Sequence, residues 1–395
     1  MTPSERLALK RPKRLLSIDG GGIRGLIAIE ILIKIEDILC RPDSRWRCLA
    51  DYFDFIGGTS TGSILTAGLA MGLSARELRD FYIRLGPRVF QKRWLWGRLW
   101  SKYNPEPLER QLQYLLGDIT LGSDQLRTLL MIVAKNINTG TPWFFVNSPR
   151  NKFFEENSRI PLWHLVRASS AAPTFFPPHR ITLPDGRRLD FIDGGVSMFN
   201  NPSFQLFLEA TIPGYSAGWD TGVDKILLIS IGTGFKQNKI ARDKAQNYTL
   251  VHWANYIVKV LMDDVNVQQN LLMKLISHTP KPRWMDYEMD DADMPTTNDV
   301  EQLQVNAPKS NFPSTRSIDA RAITFATRML TYHRYTVSFT RKRFDELGLP
   351  RDIDLDRVSE IDCVDQIEAL CRIGQAVARE QVSASDFKGF LHKDE

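Results

Sequence analysis

Twice near its start the chain repeats one plan, a short apolar run that stops at glycines and gives way to an apolar stretch with helical spacing. Arg14 to Ile18 is followed by Asp19 and Gly20, Gly21 and Gly22, after which Leu26, Ile27, Ile29, Ile31, Leu32, Ile35 and Ile38 recur at helical positions. Tyr52 to Ile56 stops at Gly57 and Gly58 and leads into a small-residue stretch through Ile64, Leu65, Leu69 and Met71. Strand, tight glycine turn and helix form the repeating unit of a parallel α/β sheet, so most other fold classes are already disfavoured.

Further strands are predicted at Leu129–Ala134, Trp143–Val146, Leu189–Ile192 and Lys225–Ile231, with helical stretches between them. The expected fold is a three-layer α/β/α core with a mainly parallel central sheet over residues 13–235. A mostly helical C-terminal extension over 236–395 is expected to pack on it. In that extension Val358, Ile361, Val364, Ile367, Leu370 and Ile373 fall every three residues and predict one drifting helix face. Ligands of such sheets bind outside the carboxyl ends of the strands.

Composition removes several function classes. At 395 residues, with 43% hydrophobic and 25% charged residues, the chain suits a folded globular protein and no disordered or collagen-like one. A net charge of +5 is low for a dedicated nucleic-acid binder, so no nucleic-acid partner is expected. Met1 to Arg14 is basic but lacks the apolar core of a secretion signal, and Phe55 to Ala75 is too rich in glycine, serine and threonine for a membrane span. A cytoplasmic location is therefore expected. The cysteines 40, 48, 363 and 371 lack zinc spacing and are read as thiols, and the acidic stretch 286–301 lacks the pattern of a calcium loop.

Three short motifs carry chemistry. Gly58-Thr59-Ser60-Thr61-Gly62 is G-x-S-x-G between a predicted strand and helix, a turn whose small neighbours leave the Ser60 hydroxyl exposed. Gly20 to Gly25 brings unobstructed amides to a helix start, which suits a phosphate or a transient oxyanion. A dinucleotide site would need a following strand that ends in an acid, but Cys40 to Ala50 reads CRPDSRWRCLA; a phosphate-binding P-loop would need lysine at Leu26. Asp193 ends another predicted strand ahead of Gly194 and Gly195, where its carboxylate could accept a serine proton if burial raised its pKa.

Taken together and in order, D-G-G-G-I-R-G at 19–25, G-T-S-T-G at 58–62 and D-G-G at 193–195 resemble the patatin-like phospholipases, with ASSAAPTFFPP at 168–178 and IGTG at 231–234 as further matching blocks. The resemblance implies a lipid acyl hydrolase of phospholipase A type acting on membrane phospholipids. It implies Ser60 as nucleophile, Asp193 as base, an oxyanion hole around Gly20, Gly21 and Gly22 with Arg24 in the arginine position, and neither metal nor cofactor. Some bacterial relatives of that kind are switched on by cyclic nucleotides, so a small-molecule nucleotide activator is a further expectation.

Trp94, Trp96 and Trp100 stand among Lys92, Arg93, Arg98 and Lys102, a composition suited to peripheral membrane contact, although a buried aromatic helix reads the same way. Two rivals stay open. One is a Ser-His-Asp hydrolase that uses His252, His278 or His333; the other is a nucleotide-binding module built on Gly20 to Gly25, with Ser60 a helix cap.

Overall fold

The computed structural model of the chain describes residues 1–90, 101–236, 240, 246, 248–280 and 328–391. Its centre is a sheet of nine strands: β1 (Lys13–Ile18), β2 (Phe55–Thr59), β3 (Leu129–Asn136), β4 (Pro142–Val146), β5 (His179–Thr182), β6 (Arg188–Asp193), β7 (Ile226–Ile231), β8 (Ser277–His278) and β9 (Leu330–Tyr335). They run in the order β5-β6-β3-β2-β1-β7-β9-β8, with β4 also paired to β3. The pairs among β3, β2, β1, β7, β9 and β8 are parallel. β4, β5 and β6 add antiparallel pairs at one side.

Strand alternation explains the three layers. Leu16, Ile18, Ile56, Leu130, Ile132, Leu227 and Ile229 face a core shared with the helices Gly25–Leu39, Thr61–Ala70, Ala75–Val89 and Ile367–Gln381. Their neighbours Leu15, Phe55, Leu129, Met131, Ile226 and Leu228 face a second core with Leu206, Phe207 and Ala210 of the Ser203–Thr211 helix. Because both faces are covered, these strands read as nearly unbroken apolar runs.

The α/β class and the mainly parallel sheet agree with the sequence expectations, and three details differ. The strand expected at Tyr52–Ile56 begins at Phe55, because Leu49–Tyr52 forms a helical turn in which the Asp51 carboxylate accepts the Cys48 amide. Gly57 and Gly58 consequently lie inside β2 and do not end it. The C-terminal part, expected to be mostly helical, also carries a strand, for β9 pairs with β7 of the core. Finally, the three-residue apolar spacing from Val358 is not one helix: Leu355–Val358 ends in a turn, and the long helix runs only over Ile367–Gln381. The carbonyls of Ser359 and Ile361 in that turn accept bonds from the Gly20–Gly25 loop, so helical amides do not take them. Among the described residues, no helix is long and apolar enough to cross a membrane.

Candidate active site

Ser60 directly follows β2 and precedes the Thr61–Ala70 helix, in a backbone conformation (φ 53°, ψ −121°) that residues other than glycine rarely adopt. The turn is tight because the helix comes down onto the end of β1: a Cβ at Gly62 would lie 2.1 Å from the carbonyl oxygen of Ile18. Ser169 holds the strained residue in place. Its hydroxyl accepts the Ser60 amide at 2.8 Å and donates to the Val133 carbonyl at 2.6 Å.

Asp193 reaches the same point from β6, which overlaps only the last residues of β3, with Ala134 paired to Asp193 and Asn136 to Phe191. The sheet therefore brings Ser60 and Asp193 together across the end of β3. The Ser60 hydroxyl donates to Asp193 Oδ2 at 2.5 Å, and the Gly195 amide donates to Oδ1 at 2.7 Å. Burial is the largest influence on this carboxyl and pushes its pKa up to about 6, against the opposing pull of the Ser60 and Gly195 bonds and the Arg167 charge. A carboxylate at that value is a far better proton acceptor near neutral pH than an ordinary aspartate.

The glycine loop lies beside them, between β1 and the Gly25–Leu39 helix. The Gly20 amide donates to the Asn200 carbonyl at 3.2 Å, so it is already engaged. Among the described residues, the Gly21 and Gly22 amides have no acceptor. Gly22 has φ +60°, and a Cβ there would lie 2.1 Å from the Ile361 carbonyl oxygen, so a side chain is excluded on both counts. Arg24 lines the same cavity and is tied both to its own loop and to the C-terminal part of the chain. Its amide and Nε reach the Gly21 carbonyl at 3.3 and 3.4 Å, and Nη1 donates to the Ser359 carbonyl at 3.0 Å.

Several contributors were not recognisable in the sequence. Arg334 of β9 forms a buried two-pronged pair with Asp19 at 2.9 and 2.6 Å, and Thr233 donates to the Gly20 carbonyl at 2.6 Å. Residues 330–335 read LTYHRY, with no apolar run to mark a buried strand, so the pair shows only in the fold, where a buried cation in a strand needs a carboxylate. Ser169 and Thr233 belong to blocks singled out at 168–178 and 231–234 but carried no assigned role.

These groups line one cavity of about 820 Å³. Ser60, Asp193, Gly21 and Gly22 stand at its polar end, and Ile64, Tyr82, Leu85, Val89, Phe90 and Phe176 form an apolar arm. The cavity combines a mainly apolar lining with one hydroxyl–carboxylate pair and two amides that have no acceptor among the described residues, which suits an ester at the end of a hydrocarbon chain. Among the described residues no histidine lines it, and the serine contacts the carboxylate directly. His278 pairs with Arg328, His333 lies within β9, and nothing is described of the His252 side chain. Trp94, Trp96 and Trp100, like the acidic stretch 286–301, lie outside the described residues.

Comparison with known proteins adds a family. The model described as patatin-like phospholipase matches residues 16–206. The chain is 37% identical over 237 residues to a cGAMP-activated phospholipase of Escherichia coli (strain TW11681), which covers 58% of this chain and 65% of that one. It is 39% identical over 215 residues to a cGAMP-activated phospholipase of Vibrio cholerae serotype O1, which covers 51% and 59%. Patatin-16 of Solanum tuberosum is 30% identical over 306 residues, which cover 69% of this chain and 78% of the potato protein. The chain thus spans just under two thirds of the two bacterial relatives.

Proposed function

The chain belongs to the patatin-like phospholipase family, and we propose that it hydrolyses fatty-acyl esters of membrane phospholipids with Ser60 as nucleophile and Asp193 as its base. The observation that carries the proposal is the 2.5 Å bond from the Ser60 hydroxyl to a buried carboxylate at the mouth of an apolar arm.

In the first step Asp193 Oδ2 takes the hydroxyl proton while Ser60 Oγ attacks the ester carbonyl. The charge that develops on the carbonyl oxygen is met by the Gly21 and Gly22 amides, the two donors of the loop that have no other acceptor. Asp193 returns the proton to the departing glycerol oxygen, which leaves the acyl group on Ser60. Water then enters, Asp193 removes its proton as the hydroxide attacks the acyl carbon, and when the second tetrahedral intermediate collapses Asp193 returns that proton to Ser60 Oγ, which releases the fatty acid. The same carboxylate acts as base, acid, base and acid in turn, which a pKa of about 6 permits at neutral pH.

The acyl chain lies in the arm lined by Tyr82, Leu85, Val89 and Phe90. Ser101 and Tyr103, at the end of the segment Gln91 to Tyr103, are buried, so the peripheral bilayer contact proposed for that segment is confined to residues 91–100, which the cavity-lining Phe90 and Lys102 bracket. A nucleotide activator is a second proposal, and it rests on the two bacterial relatives being cGAMP-activated phospholipases.

Incubation of the protein with mixed phospholipid vesicles, with and without cGAMP, tests both proposals. Fatty-acid release that Ser60→Ala and Asp193→Asn each reduce by about a thousandfold supports the first. A rate that rises on cGAMP addition supports the second. No release from wild type under either condition contradicts the hydrolase assignment.

A further inference from the structure

The two amides offered to an oxyanion belong to peptides whose carbonyl ends are held, one by Thr233 from outside the glycine loop and one by Arg24 within it. The peptide that bears the Gly21 amide has its carbonyl, Gly20 O, fixed by the Thr233 hydroxyl. The peptide that bears the Gly22 amide has its carbonyl, Gly21 O, fixed by the amide and Nε of Arg24. The next peptide is gripped at both ends: Gly22 O accepts the Thr61 hydroxyl at 2.7 Å, and the Ile23 amide donates to Ile361 O at 2.8 Å. Since Arg24 Nη1 donates to Ser359 O, two of these restraints come from one turn, Ser359 to Asp362. The turn lies far beyond the stretch the family model matches.

The turn is fastened in its own right. Asp362 is buried, and its Oδ2 accepts both the Lys102 ammonium and the Tyr103 hydroxyl at 2.5 Å. Burial alone would push this carboxyl up, but the Lys102 and Tyr103 bonds outweigh it and hold its pKa below the usual carboxylate value. Lys102 and Tyr103 are themselves pinned, their amides donating to the carbonyls of Thr174 and Phe175.

We infer that Asp362 is a positioning residue for the oxyanion site: it anchors the Ser359–Asp362 turn, whose carbonyls orient the Gly21–Arg24 segment and so aim the Gly22 amide. The inference rests on the proposed hydrolase function. Asp362 touches neither Ser60 nor Asp193 among its recorded bonds, so its loss leaves the hydroxyl–carboxylate pair in place and loosens only the donors.

The test compares wild type, Asp362→Ala, Asp362→Asn and a Lys102→Met/Tyr103→Phe double variant on a soluble short-chain p-nitrophenyl ester, with melting temperatures recorded for each. An acyl trifluoromethyl ketone, which forms a tetrahedral oxyanion adduct on the serine, reports the donors directly. With donors displaced by a fraction of an ångström, kcat of Asp362→Ala is expected to fall about tenfold or more with KM unchanged. The ketone should weaken by the same factor as kcat/KM, while binding of a free fatty acid stays as in wild type. Asp362→Asn keeps an acceptor for Tyr103 and should fall less, and the double variant should match Asp362→Ala without adding to it. Should Asp362→Ala fail to fold, Asp362→Asn and Tyr103→Phe carry the same comparison.

Folded Asp362 variants with wild-type kcat, or with a lower kcat but undiminished ketone binding, would overturn the inference alone. A wild type that neither turns over the ester nor binds the ketone would overturn the proposed function and this inference with it.

Discussion

In the proposed reaction Asp193 sets the pH response of the site. Its carboxyl must be ionised to accept the Ser60 proton, and burial raises its pKa to about 6, so activity should rise with pH and level off above that value. The groups that act on it are the Ser60 hydroxyl, the Gly195 amide and the Arg167 guanidinium, which is itself buried and paired with Glu109. In a kcat/KM profile on a soluble ester, wild type should lose about tenfold per pH unit below the midpoint. Removing a nearby cation favours the protonated acid, so Arg167→Met should move that limb to higher pH. A limb near the ordinary aspartate value, or no shift in Arg167→Met, would contradict the electrostatic account.

The Thr61–Ala70 helix shows how small residues build the turn. Gly62 lets the helix start against the Ile18 carbonyl, so Gly62→Ala should cost about 1–3 kcal/mol of stability and displace Ser60. Circular dichroism melts and ester turnover together would check this: the melting temperature and kcat should both drop. The strand-turn-helix repeat was readable because burial on both faces leaves continuous apolar runs, and because glycines mark where backbones meet. That same cue misplaced β2, since Gly57 and Gly58 serve close packing within the strand and do not terminate it. The spacing from Val358 to Ile373 also misled, because regular apolar spacing does not reveal where carbonyls are drawn to another part of the chain.

At the scale of the whole molecule, the legible portion of the site was the portion written in local motifs. Ser60, the glycine loop and Asp193 each announce themselves by neighbours a few residues away. Arg334 and Asp362 could not be found in that way: the first meets Asp19 across 315 positions and the second meets Lys102 across 260. Both partners depend on β9 and the C-terminal turn closing over the core, a consequence of topology that no local window contains. The C-terminal part thus belongs to the working site as much as the motif-bearing part does.

The central claim is that Ser60, activated by Asp193, attacks an acyl carbonyl. The measurement that tests it most directly is reaction of the purified protein with a fluorophosphonate, with the modified residue located by mass spectrometry. One adduct is expected, on Ser60, absent from Ser60→Ala and formed about a hundredfold more slowly in Asp193→Asn. A wild type that stays unmodified while hydrolysing phospholipid, or an adduct on a different residue, would contradict it.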